Sequence, residues 1–167
     1  MVYRMIFNVD GGCRRNGRPS AIGVAACCRQ SPHGWPAQPR SRVLSRQQGK
    51  PRPTNQRAEI TAIIMALEWA LQRYKTLHSN PKLRITIKSD SRYAIRCMTK
   101  WIYKWSRNGW RNARGFEVSN RDLIERASRL DDLVRDLGSV RYVWIPREEN
   151  KVADELCNQR LDEEDGR

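Results

Sequence analysis

Four acidic side chains occur in motifs that together predict a site for divalent cations. They are Asp10 in VDGG, Glu59 in TNQRAE, Asp90 in KSDS and Asp154 in KVADEL. Hard cations such as Mg²⁺ prefer oxygen ligands, and four carboxylates brought together can hold two of them. Two metal ions held in this way are typical of phosphodiester cleavage, so the four acids predict a metal-dependent nuclease.

Each of these acids also has an ordinary structural interpretation when it is taken alone. Asp10 and Asp90 each follow an apolar run typical of a strand, where aspartate is commonly a turn residue or a helix cap. Glu59 fits the first turn of a helix, where an acid favours the helix dipole. Asp154 fits a solvated helix face. Function is favoured because all four lie in specific motifs on a strongly basic chain.

The charge of the chain indicates a polyanionic partner. The 167 residues carry a formal net charge of +14, and such an excess is typical of nucleic-acid binding. The charge is also segregated: residues 91–121 hold eight Lys or Arg and one acid, whereas residues 148–167 hold eight acids and three bases. Segregation favours a nucleic-acid face over general solvation.

The elements that must position the acids read as one α/β domain over residues 1–167. The expected order is βββαβααβα, which indicates a mixed sheet. Open α/β sheets bind ligands beyond the carboxyl ends of their strands, where Asp10 and Asp90 are expected. Gly11-Gly12 reads as a turn, Thr54 or Asn55 and then Asn120 as helix caps, and Gly138 as a C′ glycine. The expected strands cover residues 3–10, 21–29, 41–47, 83–88 and 140–145, and the expected helices begin near residues 56, 91, 120 and 149, the second being broken once.

The composition excludes several other classes of protein. No apolar run approaches the roughly 20 residues that span a membrane, and the N-terminus lacks a signal-peptide layout. Five cysteines without a CxxC motif indicate reduced thiols in an intracellular protein, whose compartment the sequence does not distinguish.

Longer stretches of the chain resemble the type 1 ribonuclease H family, in order and over nearly the whole length. The matching stretches are FNVDGGCRRNG, TNQRAEITAIIMALE, IKSDSRYAIRCMTKWIYKWSRNGW, EVSNRDLIERA and VWIPREENKVADEL. The resemblance implies a ribonuclease H-like fold: a five-stranded mixed sheet flanked by helices, with a basic protrusion at about residues 99–119. It also implies hydrolysis of the RNA strand of RNA–DNA hybrids, giving 3′-hydroxyl and 5′-phosphate ends.

The resemblance further implies roles for the four acids. Two Mg²⁺ ions per site are expected, with Mn²⁺ as a possible substitute. Asp10 would bridge both ions, Asp154 would hold the ion on the nucleophile side, and Glu59 and Asp90 would hold the other.

The resemblance also assigns substrate contacts. Tyr93, Trp101 and Trp105 would line the groove for the DNA strand. Contacts to one DNA phosphate would come from Arg52, Thr54 and Asn120, and contacts to ribose 2′-hydroxyls and the minor groove from Asn16, Asn55 and Gln56. The cations of the basic protrusion would be Lys100, Lys104, Arg107, Arg111 and Arg114.

Several of these contacts have structural alternatives. Tryptophans four residues apart, such as Trp101 and Trp105, are more often core than ligand platforms. Thr54 and Asn120 are natural helix caps, and Arg52 between two prolines can be a solvated loop residue.

The chain departs from many type 1 enzymes in one respect. They carry a histidine in the loop before the last helix, whereas this loop reads IPREENKVAD and both histidines, His33 and His78, lie elsewhere. Arg147 or Glu148 can partly substitute for that histidine.

Two other functions remain open from the sequence. One is a catalytically weak or silent hybrid-binding module, which the missing histidine favours and the four acids disfavour. The other is a different nuclease of the same fold, such as an integrase or resolvase, which TNQRAE and the tryptophan-rich protrusion disfavour. The expected partner is an RNA–DNA hybrid bound by a monomer, with no membrane association.

Overall fold

Five strands form one mixed sheet in a computed structural model that describes residues 1–31 and 36–166, without the side chains of residues 36–38. The spatial order is β3-β2-β1-β4-β5, with β1 antiparallel to β2 and parallel to β4. The predicted five-stranded mixed sheet is confirmed. The strands are β1 (Val2–Arg14), β2 (Ile22–Gln30), β3 (Pro36–Val43), β4 (Lys82–Ser89) and β5 (Gly138–Trp144).

Helices cover both faces of this sheet. On one face α1 packs against β1 and β2, and α4 packs against α1 and β5, whereas α5 packs over β1 to β3 on the other face. The alternation along β1 explains this, since Met5, Phe7 and Val9 point into the main core with α1. The helices are α1 (Asn55–Tyr74), α2 (Arg92–Arg96), a π-helical turn (Cys97–Trp101), α3 (Ile102–Asn108), α4 (Arg121–Leu137), a 3₁₀ turn (Arg147–Glu149) and α5 (Lys151–Asp165).

The Gly11-Gly12 pair is not a turn, which corrects the expectation that β1 ends at Asp10. The strand runs on to Arg14 and stays paired with β2 through Arg14↔Ile22. A Cβ on Gly11 would lie 2.3 Å from the carbonyl carbon of Ala58 in α1. The glycine is therefore needed because the start of α1 passes directly over the strand.

The third strand also differs from its expected bounds, since β3 covers Pro36–Val43 and not residues 41–47. It pairs with β2 alone, so it is an edge strand with one free side. Proline is tolerated there because a missing N–H costs nothing on the unpaired side. The prolines, which usually argue against a strand, therefore led to the wrong bounds for β3.

Two helix boundaries differ in detail from the predictions. Thr54 caps α1 as expected, accepting a hydrogen bond from the Arg57 amide at 3.1 Å. Asn120 occupies the N-cap position of α4 with φ 65°, but its side chain does not cap the helix. Gly138 is extended and begins β5, so it is no left-handed C′ residue; a Cβ there would lie 1.9 Å from the Leu83 carbonyl oxygen.

The predicted single break in the helical segment after Asp90 is the π-helical turn. Its wider spacing adds a residue to the turn, so the four-residue repeat of cations from Arg92 to Lys104 does not continue as one straight stripe. Arg92 instead stacks its guanidinium 4.0 Å from the ring centroid of Trp144.

The helices and the cysteines bear on two expectations about the whole chain. In the described residues no helix is both long and apolar enough to cross a membrane. All five cysteines are free thiols; Cys13 is half-buried and the other four are buried.

Candidate active site

Asp10 and Asp90 lie side by side because of the sheet register. The parallel pairing of β1 with β4 ends at Val9↔Ser89, so the next residue of each chain segment is one of the two aspartates. Asp10 is buried within β1, whereas Asp90 follows the last residue of β4. Asp10 and Asp90 are therefore adjacent, as expected. Only Asp90 lies beyond the end of its strand, however, because β1 continues past Asp10.

Glu59 reaches the two aspartates from the second turn of α1. Oxygen atoms of Asp10, Glu59 and Asp90 all lie within 4.8 Å of one another. Asp154 lies outside that group, in the first turn of α5, but it lines the same cavity of about 450 Å³. The structure thus brings three of the predicted acids into one cluster and places the fourth at its side.

The electrostatics of the cluster are those of buried acids that repel one another, with the Arg147 guanidinium as a nearby cation. Burial, followed by the charges of Asp90 and Asp154, raises the pKa of Asp10 to about 8. Burial and the charges of Asp10 and Asp90 likewise raise the pKa of Glu59 well above its usual range. Among the described residues, Glu59 Oε2 is buried without a hydrogen-bond partner. An orphaned carboxylate oxygen among crowded carboxylates fits a divalent cation.

A relay of amides behind the cluster orients Asp90. Asn150, which is buried at the N-cap position of α5, donates to Asp90 Oδ2 at 3.2 Å and to the Val9 carbonyl at 2.9 Å. Its own Oδ1 accepts from Asn8 Nδ2 at 3.2 Å, and Asn8 Oδ1 accepts from Gln30 Nε2 at 2.8 Å. Each amide fixes the orientation of the next, so the Asn150 donor faces Asp90. Sequence reasoning missed this relay; only the alternating polar Asn8 in an apolar strand hinted at it.

The two residues predicted to replace the loop histidine occupy different places. Arg147, in the 3₁₀ turn, lines the acidic cavity and lies 3.5 Å from Asp154. Its charge opposes the burial that raises the pKa of Asp90. Glu148 lines a neighbouring cavity with Asn8 and Gln30. Only Arg147 therefore has direct access to the carboxylates.

The two histidines differ in what the structure shows. His78 is exposed just beyond α1, whose other end carries Glu59. His33 lies outside the described residues.

Several predicted substrate contacts gather at the N-terminal end of α1. Asn16 Oδ1 accepts the Asn55 backbone N–H at 2.7 Å, and Arg52 donates to the Gly17 carbonyl at 3.4 Å. Asn55 also lines the acidic cavity. The loop after β1 and the start of α1 thus place these polar groups next to the carboxylates.

A second group of predicted contacts centres on Asn120. Its amide donates to Tyr93 Oη at 3.0 Å and to Gln56 Oε1 at 3.3 Å, while its oxygen accepts from Arg57. Arg57 also forms a bidentate ion pair with Asp122, at 2.9 and 2.7 Å. Sequence reasoning missed Arg57, although it stands inside the TNQRAE motif. These bonds explain why Asn120 does not cap its helix.

The aromatic residues form a continuous row. Ring centroids of Tyr93 and Trp101 are 5.9 Å apart, those of Trp101 and Trp105 are 5.4 Å apart, and Trp110 continues the row at 6.4 Å. All four are half-buried and pack against the core. One face of the row therefore packs while part of its surface stays accessible to a ligand.

The predicted basic protrusion comprises the end of the π-helical turn, α3 and the loop up to residue 119. The loop is braced by a bridge between Arg111 and Glu117 and by the Val118 N–H bond to the Trp110 carbonyl. All its predicted cations are exposed: Lys100, Lys104, Arg107, Arg111 and Arg114.

A model of the RNase H family matches residues 3–162 of the chain. This chain belongs to the ribonuclease H family. The match excludes the alternative of an integrase or resolvase, and it makes the chain a ribonuclease H enzyme.

Individual relatives agree with this assignment. The chain is 37% identical over 158 residues to a ribonuclease H of Halorhodospira halophila, covering 92% of this chain and 90% of that protein. It is 35% identical over 166 residues to a ribonuclease H of Mycolicibacterium smegmatis, covering 95% and 88%. The fold is that of LC11-RNase H1 in complex with an RNA/DNA hybrid, with a TM-score of 0.62, 23% identity and coverage of 93% and 94%.

Proposed function

We propose that this ribonuclease H is an endonuclease that hydrolyses the RNA strand of RNA–DNA hybrids at the carboxylate cluster. The observation that carries the proposal is the close grouping of Asp10, Glu59 and Asp90 around an unpartnered buried oxygen, with Asp154 on the same cavity. The family membership and the net charge of +14 support a nucleic-acid substrate.

The four acids would together hold two divalent cations. Asp10, which is grouped with Glu59 and Asp90 and also senses the charge of Asp154, would help to hold both ions. Glu59 and Asp90 would help to hold one of them, and Asp154 would help to hold the other. When bound, Mg²⁺ or Mn²⁺ would activate the attacking water and stabilise the leaving 3′ oxygen. Asn150 would keep Asp90 in its liganding orientation, and the exposed Arg147 would approach the scissile phosphate.

The polar groups at the start of α1 would recognise the RNA strand. Asn16, Asn55 and Gln56 offer amide donors and acceptors beside the cavity, and the ribose 2′-hydroxyl is the group that distinguishes RNA from DNA. Arg52, Thr54 and Asn120 lie close to them and would contact a DNA phosphate. The Tyr93, Trp101 and Trp105 row would support the DNA strand, and the protrusion cations would contact phosphates further along.

A cleavage assay tests this proposal by comparing an end-labelled RNA–DNA hybrid with duplex DNA and duplex RNA. Each substrate is incubated with Mg²⁺, with Mn²⁺ and with chelator. Cleavage is expected only for the hybrid and only with metal, and the products should carry 3′-hydroxyl and 5′-phosphate ends. Asp10→Asn should abolish cleavage while hybrid binding persists, whereas Asp132→Asn, at an exposed acid of α4, should cleave normally. Hybrid binding without any cleavage by the wild type would instead establish a silent binding module.

The enzyme is proposed to act as a monomer, because one chain carries all four acids and the contacts around them. Light scattering under turnover conditions tests this, and a dimer whose dilution removes activity would contradict it.

A further inference from the structure

One face of the sheet carries cations that the proposed function does not use. Side chains of β1, β4 and β5 that point away from α1 and α4 include Arg4, Arg84, Lys88 and Arg141, which we name the open sheet face. Helix α5 covers β1 to β3 on this side, and Arg4, Arg84 and Arg141 are exposed. Between them lies a cavity of about 660 Å³ whose floor includes Ile6 and Thr86.

The cations of the open sheet face are crowded, and no acid among the described residues pairs with them. Arg4 is directly opposite Arg84, and Thr86 is directly opposite Arg141, which places Arg141 diagonal to Arg84. Like charges at such cross-strand positions destabilise a sheet. Within the described ranges none of these four side chains forms an ion pair. A bound polyanion would offset this repulsion.

The open sheet face runs toward the proposed active site, and the Asn8–Asn150 pair lies between its cations and the carboxylates. Arg4 and Asp10 lie on the same side of β1, and Arg84 and Lys88 follow one another along β4, which ends one residue before Asp90. At about 3.3 Å per residue, Arg84 is roughly 20 Å from Asp90 along the strand. A nucleic-acid strand that leaves the active site in this direction would pass over all of these cations.

The width of the face suits a single extended strand. Three strands about 4.8 Å apart give a surface about 10 Å across, with α5 rising along one side. A strand lying beside α5 would contact the cations of β1, β4 and β5 together. Ile6 and Thr86 between the cations add a small floor without a charge of its own, which suits binding through the phosphate backbone.

We propose that the open sheet face binds a single-stranded nucleic-acid segment that continues beyond the hybrid held at the active site. The proposal rests on the proposed function, since it needs the hybrid to occupy the carboxylate end of the sheet. An acidic protein segment is disfavoured because the cations lie on the same side of the sheet as Asp10 and Asp90, where a phosphodiester is proposed to be cut.

The test compares blunt hybrids with hybrids that carry a single-stranded tail of about ten nucleotides. Tails are placed in turn at each end of each strand, and binding is measured without divalent metal so that the substrates stay intact. The wild type should bind one tailed form more tightly than the blunt hybrid. Three phosphate contacts predict a salt slope steeper by about 2, so that the advantage should fall about 20-fold between about 50 and about 200 mM salt.

A triple variant isolates the face. Arg4→Gln/Arg84→Gln/Arg141→Gln should lose the advantage of the tail and the extra salt slope, while blunt hybrid binding and cleavage stay unchanged. The matched control, Arg46→Gln/Lys75→Gln/Arg129→Gln, removes the same charge from exposed positions elsewhere and should keep the advantage of the tail.

Three outcomes would overturn the proposal. One is a wild type that binds every tailed form no better than the blunt hybrid. Another is a triple variant that weakens blunt and tailed binding equally, which would make the face part of the duplex footprint. The third is oligoglutamate that binds the face when tails do not, which would indicate an acidic protein partner. Cleavage of the blunt hybrid by the wild type separates each of these from a failure of the proposed function.

Discussion

At the scale of single residues, the position of Asp10 in the cluster destabilises the metal-free protein at neutral pH. Its pKa is about 8 in the folded protein against an ordinary value near 3.8. Between those values the folded protein binds more protons than the unfolded chain, so metal-free stability falls as pH rises through the window from about 4 to about 8. The carboxylate is thus held in an unfavourable charge state that a cation would relieve.

Replacing that carboxylate should therefore stabilise the metal-free protein. Asp10→Asn should raise the free energy of unfolding at pH 7 by about 2 kcal/mol and the Tm by about 5 °C. The pH dependence of unfolding should flatten over the same window. Mg²⁺ should narrow the difference because it binds the folded wild type better. Calorimetry across pH checks this, and a less stable Asp10→Asn protein would refute the account of the cluster.

The amide relay makes a second prediction at this scale. Asn8→Asp keeps the shape but removes the donor to Asn150, so the Asn150 amide loses its fixed orientation toward Asp90. Outer partners of metal ligands typically affect affinity or activity by 10–100-fold, so about a tenfold rise in the Mg²⁺ needed for half-maximal activity is expected. Asn80→Asp, in an exposed loop, is the control. An unchanged Mg²⁺ requirement in Asn8→Asp would remove Asn8 from the site's support.

At the scale of elements, the crossing of α1 over β1 is the contact that assembles the cluster. Gly11→Ala would place a methyl group against the backbone of Ala58 and Glu59, which cannot move without shifting the helix. We expect a loss of about 3 kcal/mol in unfolding free energy and a larger loss of activity. Gly12→Ala meets only the side chains of Cys157 and Leu161, at 3.1 Å, and should cost less. Equal effects of the two substitutions, measured by denaturation and turnover, would contradict this view.

The basic protrusion is an element whose role is electrostatic. Changing Lys100, Lys104, Arg107 and Arg111 to Ala should weaken hybrid binding and flatten its salt dependence by about 0.9 for each phosphate that is no longer neutralised. Titrations of a blunt hybrid over a range of salt measure this slope. If the slope stays that of the wild type, the protrusion lies outside the footprint.

At the scale of the whole molecule, the length of α1 separates His78 from the carboxylate cluster. His78 lies beyond one end and Glu59 near the other, so removing His78 should leave the pH dependence of turnover unchanged. A pH–rate series on the wild type and on the His33→Ala/His78→Ala double variant measures this. A double variant that loses most activity would show that one of these histidines serves the site.

The overall architecture could be predicted from the sequence because alternation and capping are local. Helix α1 with its Thr54 cap and the burial of alternate residues in β4 follow directly from side-chain periodicity. The errors arose where a tertiary contact decided the local structure. Gly11 and Gly138 look like turn residues, yet each serves a close backbone approach that no local pattern encodes. The Asn8–Asn150 bond joins residues 142 positions apart, which a single sequence does not reveal.

The positions of the five cysteines would allow the site to be labelled without mutating the protein. Burial raises the pKa of Cys28 to about 11 and that of Cys97 to about 12, and Cys27 and Cys157 are sealed in the core. Burial also raises the pKa of Cys13, but its thiol is the most accessible of the five, so labelling of the folded protein would favour Cys13. Cys13 lines the cavity of the carboxylates. A fluorophore attached there would report when metal or nucleic acid arrives, without any engineered cysteine.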